Sequence, residues 1–229
     1  MKISQKHHIL IGAMIVLLVG LCGLGYLVGT YQRTTSERLA DKYSGQIDRL
    51  ISQIDHDGDG LDDQTDILNG AIRYINSQPK YQSNYYAGGY PDDGYGVCTD
   101  LVAAALKEAG YDLRELVNED IRNNSVIYEI DYPDKDIDYR RVRNLRIFFD
   151  RNATKLTTDI YQIDQWHGGD IVVFNNHIGI VSDRRNSKGL PYVIHHASPW
   201  QRRYEQDILE NRTDLVGHYR MGVKKIIED

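Results

Sequence analysis

Cysteine is almost missing from this chain: two residues in 229, at positions 22 and 98. Cys22 lies inside an apolar run, so no intramolecular disulfide framework is available, and the cysteine count says nothing about redox compartment. There is no zinc-type ligand spacing, no phosphate-cradling glycine loop and no internal repeat. Basic charge is also short, with 27 Lys and Arg against 33 Asp and Glu, and the resulting net charge of −6 argues against a nucleic-acid partner. Phenylalanine is scarce, 3 residues beside 17 tyrosines, so the aromatic surface carries hydroxyls and suits polar ligands such as peptides or sugars. Apolar residues are not short. At 41% they are enough for a real core, which excludes wholesale disorder, and the length allows one enzyme-sized domain plus an anchor.

The anchor is residues 9–28, almost wholly apolar and long enough to cross a bilayer as one helix. Lys2 and Lys6 precede it, Tyr26 and Tyr31 flank its far end, and Arg33 and Arg38 follow. A cleaved signal peptide is the competing reading, but the run is long for one and has no clear small-x-small cleavage site, while Leu21 before Cys22 fits a lipobox poorly. The expectation is a single-pass signal anchor in the cell membrane, with everything beyond about Tyr31 extracytoplasmic.

Cys98 sits where a nucleophile would. It follows Gly94-Tyr95-Gly96-Val97 and opens a run with apolar residues at 101, 102, 105, 106 and 109 that ends at Gly110, the pattern of an amphipathic helix with a glycine C-terminus. A thiol at a helix start faces unpaired N–H groups and the positive dipole end, which favour thiolate. A base is available downstream. Gly169 to Phe174 reads as a buried strand, Asn175-Asn176 as a turn, and His177 to Ser182 as the next strand; after a polar turn near Asn186 comes Tyr192-Val193-Ile194-His195-His196. A hairpin symmetric about that turn sets His177 opposite His195 on one face, with His196 on the other. Cys98, His177 and His195 then supply nucleophile, base and orienting group.

Several pieces together resemble the NlpC-type papain-like cysteine peptidases of bacterial cell walls: Tyr85-x-x-Gly88-Gly89, Cys98 at its helix, Gly169-Asp170 before a strand, His177-Ile178-Gly179-Ile180-Val181, and Ile194-His195. More narrowly, Gly89-Tyr90-Pro91-Asp92 with Gly96-Val97-Cys98-Thr99-Asp100, Asp138-Tyr139-Arg140-Arg141-Val142 and Gly217-His218-Tyr219-Arg220 resemble a bacterial subgroup catalogued as a domain of unknown function. The superfamily commonly has Ser-Gly after its cysteine, whereas this chain has Thr99-Asp100. The resemblance implies a papain-like α+β fold with a central antiparallel sheet, and peptidoglycan stem or cross-bridge peptide as the substrate class. Tyr85 is expected to assist the Cys98 backbone N–H at the oxyanion. Arg140 and Arg141 could hold substrate carboxylates, an internal ion-pair cluster being the alternative, and Trp166 could line the groove or serve as a core aromatic.

Between anchor and enzyme, residues 36–54 carry apolar positions at helical spacing and lead into Asp55-His56-Asp57-Gly58-Asp59-Gly60-Leu61-Asp62-Asp63-Gln64-Thr65-Asp66. This matches an EF-hand loop, with Asp55, Asp57, Asp59, the Leu61 carbonyl, Asp63 and Asp66 as calcium ligands and a second helix over about 63–77. Position 12 is Asp66 where Glu is usual, which should weaken the site to a level suited to extracellular calcium.

The expectation is therefore an anchor over 1–33, an EF-hand-like helix–loop–helix over 34–78 and a papain-like cysteine hydrolase over 79–229. It would be an amidase or endopeptidase acting on cell-wall peptide, with structural Ca²⁺, no catalytic cofactor and a Gram-positive source. Two rivals stay open: a calcium-dependent, non-catalytic surface binding module, and a papain-like acyltransferase.

Overall fold

A computed structural model describes residues 2–222. Helix α1 (Lys2–Thr30) is followed by an irregular segment and then α2 (Asp63–Asn76), β1 (Lys80–Tyr81), β2 (Tyr95–Gly96), α3 (Cys98–Glu108), α4 (Leu113–Asn123), α5 (Ser125–Tyr128) and α6 (Val142–Asn152). The remaining strands are β3 (Thr154–Lys155), β4 (Ile171–Phe174), β5 (His177–Arg185), β6 (Pro191–Ile194), β7 (Glu205–Gln206) and β8 (Leu215–Arg220). Strands β3 to β8 form one antiparallel sheet in the order β3-β8-β4-β5-β6-β7, and β1 pairs with β2 in parallel.

Over residues 10–30, α1 is apolar and none of it is buried against the rest of the chain. It has the length and composition of a membrane span, and of a signal sequence equally.

Helices α2 and α3 pack on one face of the sheet. Ile67, Leu68, Ala71 and Ile75 of α2 meet Leu101, Val102, Ala105 and Leu106 of α3 over Ile171, Val173, Ile178 and Ile180. The contact is close because Gly70 has no side chain: a Cβ there would lie 2.8 Å from the Cα of Ala105. Helix α2 thus shares one core with α3. A second cluster of Trp166, Val172, Phe174, Val181, Val193 and Leu209 fills the other face. Residues 223–229, the end of the expected enzymatic domain, lie outside the described residues.

The helix expected over 36–54 is not formed; the segment is irregular and crosses the sheet edge. Its backbone finds partners there instead of within a helix. Leu39 N–H donates to Glu205 at 2.6 Å, Lys42 N–H to the Arg185 carbonyl at 2.9 Å, and the Ala40 carbonyl accepts from the Tyr192 hydroxyl at 3.2 Å. Arg38 is paired with Glu205 at 2.8 Å and also bonds Asp183. The helical spacing of apolar residues lost to these tertiary partners. Of the two helices expected to flank the loop, only the exit helix α2 is formed.

Candidate active site

Cys98 is the first residue of α3. The turn is held by Asp100, whose carboxylate accepts from the Val97 N–H at 2.8 Å. Asp100 in turn is gripped by Arg140 through two parallel bonds of 2.7 and 2.8 Å, in an ion pair almost wholly inside the protein. Thr99-Asp100, where the resemblance would put Ser-Gly, is therefore the attachment of α3 to the 138–140 turn. Arg140 is committed to this bond and is not available to a substrate carboxylate. Arg141 is largely exposed, beside Asp138 at 3.8 Å.

The backbone N–H groups of Ile178 and Thr99 face the Cys98 sulfur and favour thiolate, but burial outweighs them and pushes the thiol up to about 11. The helix-start argument for a resting thiolate is corrected accordingly: at neutral pH Cys98 rests as a thiol.

His177 opens β5 after the two-residue turn Asn175-Asn176, paired with Phe174 across the hairpin. Its Nε2 lies 2.8 Å from His195 Nδ1, with the rings edge to face. The register differs from the symmetric hairpin by two residues. Ile180 pairs with Ile194 and Val181 with Val193, and an irregularity between Val181 and Arg185 absorbs the offset. A two-residue shift keeps side chains on the same face, so the two histidines still meet, now diagonally. Gly179 makes room for the diagonal: a Cβ there would come within 3.1 Å of the His195 Cβ. Burial, then the Arg212 charge, depresses His177 to about 4, and burial, then His177, depresses His195 to about 3. Both rest neutral at pH 7.

Sequence reasoning missed the groups that complete this cluster. The Gln206 side chain bonds His195 and favours its protonated form. Gln201 donates to the His195 carbonyl at 2.9 Å. His196, expected on the far face, is fully buried within a cage of Tyr74, Tyr81 and Tyr204, with Nδ1 3.0 Å from the Tyr74 hydroxyl. A Cys98 thiolate would act on both Tyr74 and Tyr81, so the cage borders this cysteine. Tyr85 does not: it is 56% exposed and donates to Asp134 at 3.2 Å. Tyr81 is the tyrosine of that run beside the thiol. Its backbone is bonded by Gln32, just beyond α1, which donates to the Tyr81 carbonyl at 2.8 Å and accepts from its N–H at 2.7 Å. Nothing in the spacing of tyrosines distinguishes 81 from 85; only the fold does.

Trp166 is fully buried and stacked on His218 at 3.7 Å, so it is a core aromatic and lines no groove. The Gly-Asp motif has a structural explanation, since Asp170 receives His218 at 3.1 Å and Arg220 at 2.6 Å.

In the acidic loop, ligand-type oxygens of Asp55, Asp57 and Asp59 converge within 4.8 Å. Asp63 does not join them. It accepts from the His56 N–H at 2.8 Å and from the Tyr111 hydroxyl. Asp66 is 3% exposed, and burial with the charges of Asp59 and Asp57 holds its carboxyl up to about 6.

The family model described as a domain of unknown function (DUF1287) matches residues 68–221. A protein of Escherichia coli (strain K12), printed as "Uncharacterized protein YijF", is 37% identical over 171 residues, covering 69% of this chain and 82% of that protein. No solved structure matches. A relative in Escherichia coli gives no support to a specifically Gram-positive source.

Proposed function

The chain belongs to the family described as a domain of unknown function (DUF1287), and from that premise we propose that it is a cysteine hydrolase of NlpC-type papain-like kinship that cleaves amide bonds in cell-wall peptide outside the cytoplasm. The observation that carries this reading is the 2.8 Å bond between His177 Nε2 and His195 Nδ1, beside a helix-start cysteine whose sulfur faces the N–H of the residue next to His177.

In this mechanism the thiol proton passes to His177 Nδ1 as sulfur attacks the carbonyl carbon. The oxyanion draws on the Cys98 backbone N–H and the Tyr81 hydroxyl. The imidazolium returns its proton to the leaving amine, and a thioester remains. Water, deprotonated by His177, then releases the acid and restores the thiol. Because both partners rest neutral, His177 works as a general base and no preformed ion pair is required.

The pair of hydrogen bonds between the Gln32 side chain and the Tyr81 backbone ties the exit of α1 to the nucleophile's surroundings. With α1 as a membrane anchor, turnover would occur close to the membrane surface. An acyltransferase would share every step up to the thioester, with an amine or hydroxyl replacing water. A binding module would have no use for a bonded histidine pair beside a thiol.

The test is incubation of the full-length protein with purified peptidoglycan fragments, followed by mass spectrometry. New carboxyl and amine termini that disappear in Cys98→Ser support hydrolysis, and a new amide or ester linkage makes it a transferase. Unaltered fragments, together with undiminished fragment binding by Cys98→Ser, would favour the binding module.

A further inference from the structure

The acidic loop takes no part in the chemistry just described, and two independent features of it point to a ligand. The first is its shape. Asp55 accepts from the N–H groups of Gly58 at 2.7 Å, Asp59 at 3.1 Å and Gly60 at 3.0 Å, while Asp57 accepts from Asp59 at 3.2 Å and Asp59 from Leu61 at 2.8 Å. These bonds, with Gly58 and Gly60 at positive φ, wind the loop so that three carboxylates converge. Convergence of three like charges is unfavourable unless a cation joins them.

The second feature is Asp66, in the first turn of α2. Its carboxylate is buried, its Oδ2 has no hydrogen-bond partner, and Asp59 and Asp57 are the charges that act on it most strongly. A buried carboxylate oxygen left unpartnered is costly, and no hydrogen bond among the described residues offsets it. A cation among the three exposed carboxylates would.

We propose that residues 55–66 bind one Ca²⁺ through the carboxylates of Asp55, Asp57, Asp59 and Asp66 and the carbonyl of Leu61, with Asp63 excluded from the ligand set. Asp63 is excluded because its carboxylate is held outside the converging group, one oxygen accepting from the His56 N–H and the other from the Tyr111 hydroxyl beyond the end of α3. All the ligands are hard oxygens on a loop open to water, an arrangement suited to calcium more than to the smaller, rigidly octahedral Mg²⁺.

The excluded residue gives the ion its second role. Tyr111 lies just past the C-terminal end of α3, where its ring stacks flat on His56 at 4.3 Å, and the Cα of Gly110 is pressed against Asp57, whose Cβ is 2.9 Å from where a side chain would start. The loop is therefore packed on the far end of the helix that begins at Cys98. An eleven-residue helix separates the two by roughly 15 Å. At that distance the ion braces the nucleophile helix without touching the reaction, and the inference stands whether or not the hydrolase reading does.

The experiment is calorimetric titration of CaCl₂, and separately MgCl₂, into metal-stripped full-length protein in detergent, with circular dichroism as a check on folding. One calcium per chain is expected, with a dissociation constant at or below about 10⁻³ M. Asp55→Asn and Asp66→Asn should each weaken binding at least about tenfold, while Asp63→Asn leaves it within about threefold, since only the first two remove ligand charge. Where Asp66→Asn fails to fold, Asp57→Asn carries the same expectation. Absence of a saturable site, tighter magnesium than calcium, or calcium binding that survives Asp66→Asn but is lost in Asp63→Asn would each overturn the proposal.

Discussion

His177 Nε2 and His195 Nδ1 are 2.8 Å apart with both rings neutral, so a single proton must lie between them. For His177 Nδ1 to accept the thiol proton, Nε2 must carry that proton and donate to His195 Nδ1. His195 then bears its own proton on Nε2, where Gln206 receives it. In the proposed mechanism, the relay Gln206–His195–His177 sets the tautomer that would make His177 a base.

On a hydrolysable peptide, His177→Ala should cost about 10² to 10⁴-fold in kcat, the usual contribution of a general base. His195→Ala and Gln206→Leu should cost less and should alter the pH profile as well as the rate, because they release the tautomer without removing the base. Steady-state kinetics across pH would check this. Equal losses in all three variants with unchanged profiles would contradict the relay.

Iodoacetamide labelling of Cys98, followed by peptide mass spectrometry in a Cys22→Ser background, should be slow at neutral pH and climb towards about 11. A plateau reached already below neutrality would mean a preformed thiolate, contrary to the balance of burial over N–H contacts.

Stability should fall on mild acidification. His177, His195 and His196 are all held neutral by burial, at about 4, 3 and 4. As pH drops through the ordinary histidine value of 6.5, the unfolded chain takes up protons that the folded chain refuses until pH nears 4, so protons favour unfolding. Urea midpoints should be lower at about pH 5 than at about pH 7.5. Equal midpoints would show that these histidines are not buried neutral.

Gly96 needs its bare α-carbon because the Tyr74 hydroxyl lies against it. Gly96→Ala should destabilise the chain and disturb Cys98 two residues on. Tyr74→Phe in the same chain should recover part of the loss, since the ring carbon behind the hydroxyl would sit 3.4 Å from the new methyl. A double variant no more stable than Gly96→Ala alone, compared by thermal melts, would refute the contact.

Arg140→Ala should cost about 3–5 kcal/mol in denaturant unfolding, since it strands the Asp100 carboxylate inside the protein. A loss below about 1 kcal/mol would indicate a solvated surface pair instead.

Elements whose residues satisfy one another locally were legible in the sequence. Helix α3 follows from apolar spacing and Gly110, and β4 and β5 from two apolar runs around Asn175-Asn176. The two histidines shared a face in the symmetric hairpin and still do, because the period of two survives a two-residue slip.

What tertiary structure alone decided was the assignment of side chains between equivalent sequence positions. Residues 36–54 have helical spacing, yet the sheet edge offers their backbone partners that a helix would forfeit. Tyr81 rather than Tyr85 borders the thiol, and Arg140 closes on Asp100 while Arg141 faces water. The Cys98 proton belongs here too. A helix start favours thiolate by local geometry, whereas desolvation depends on everything packed around the sulfur, and in this chain it is the larger effect.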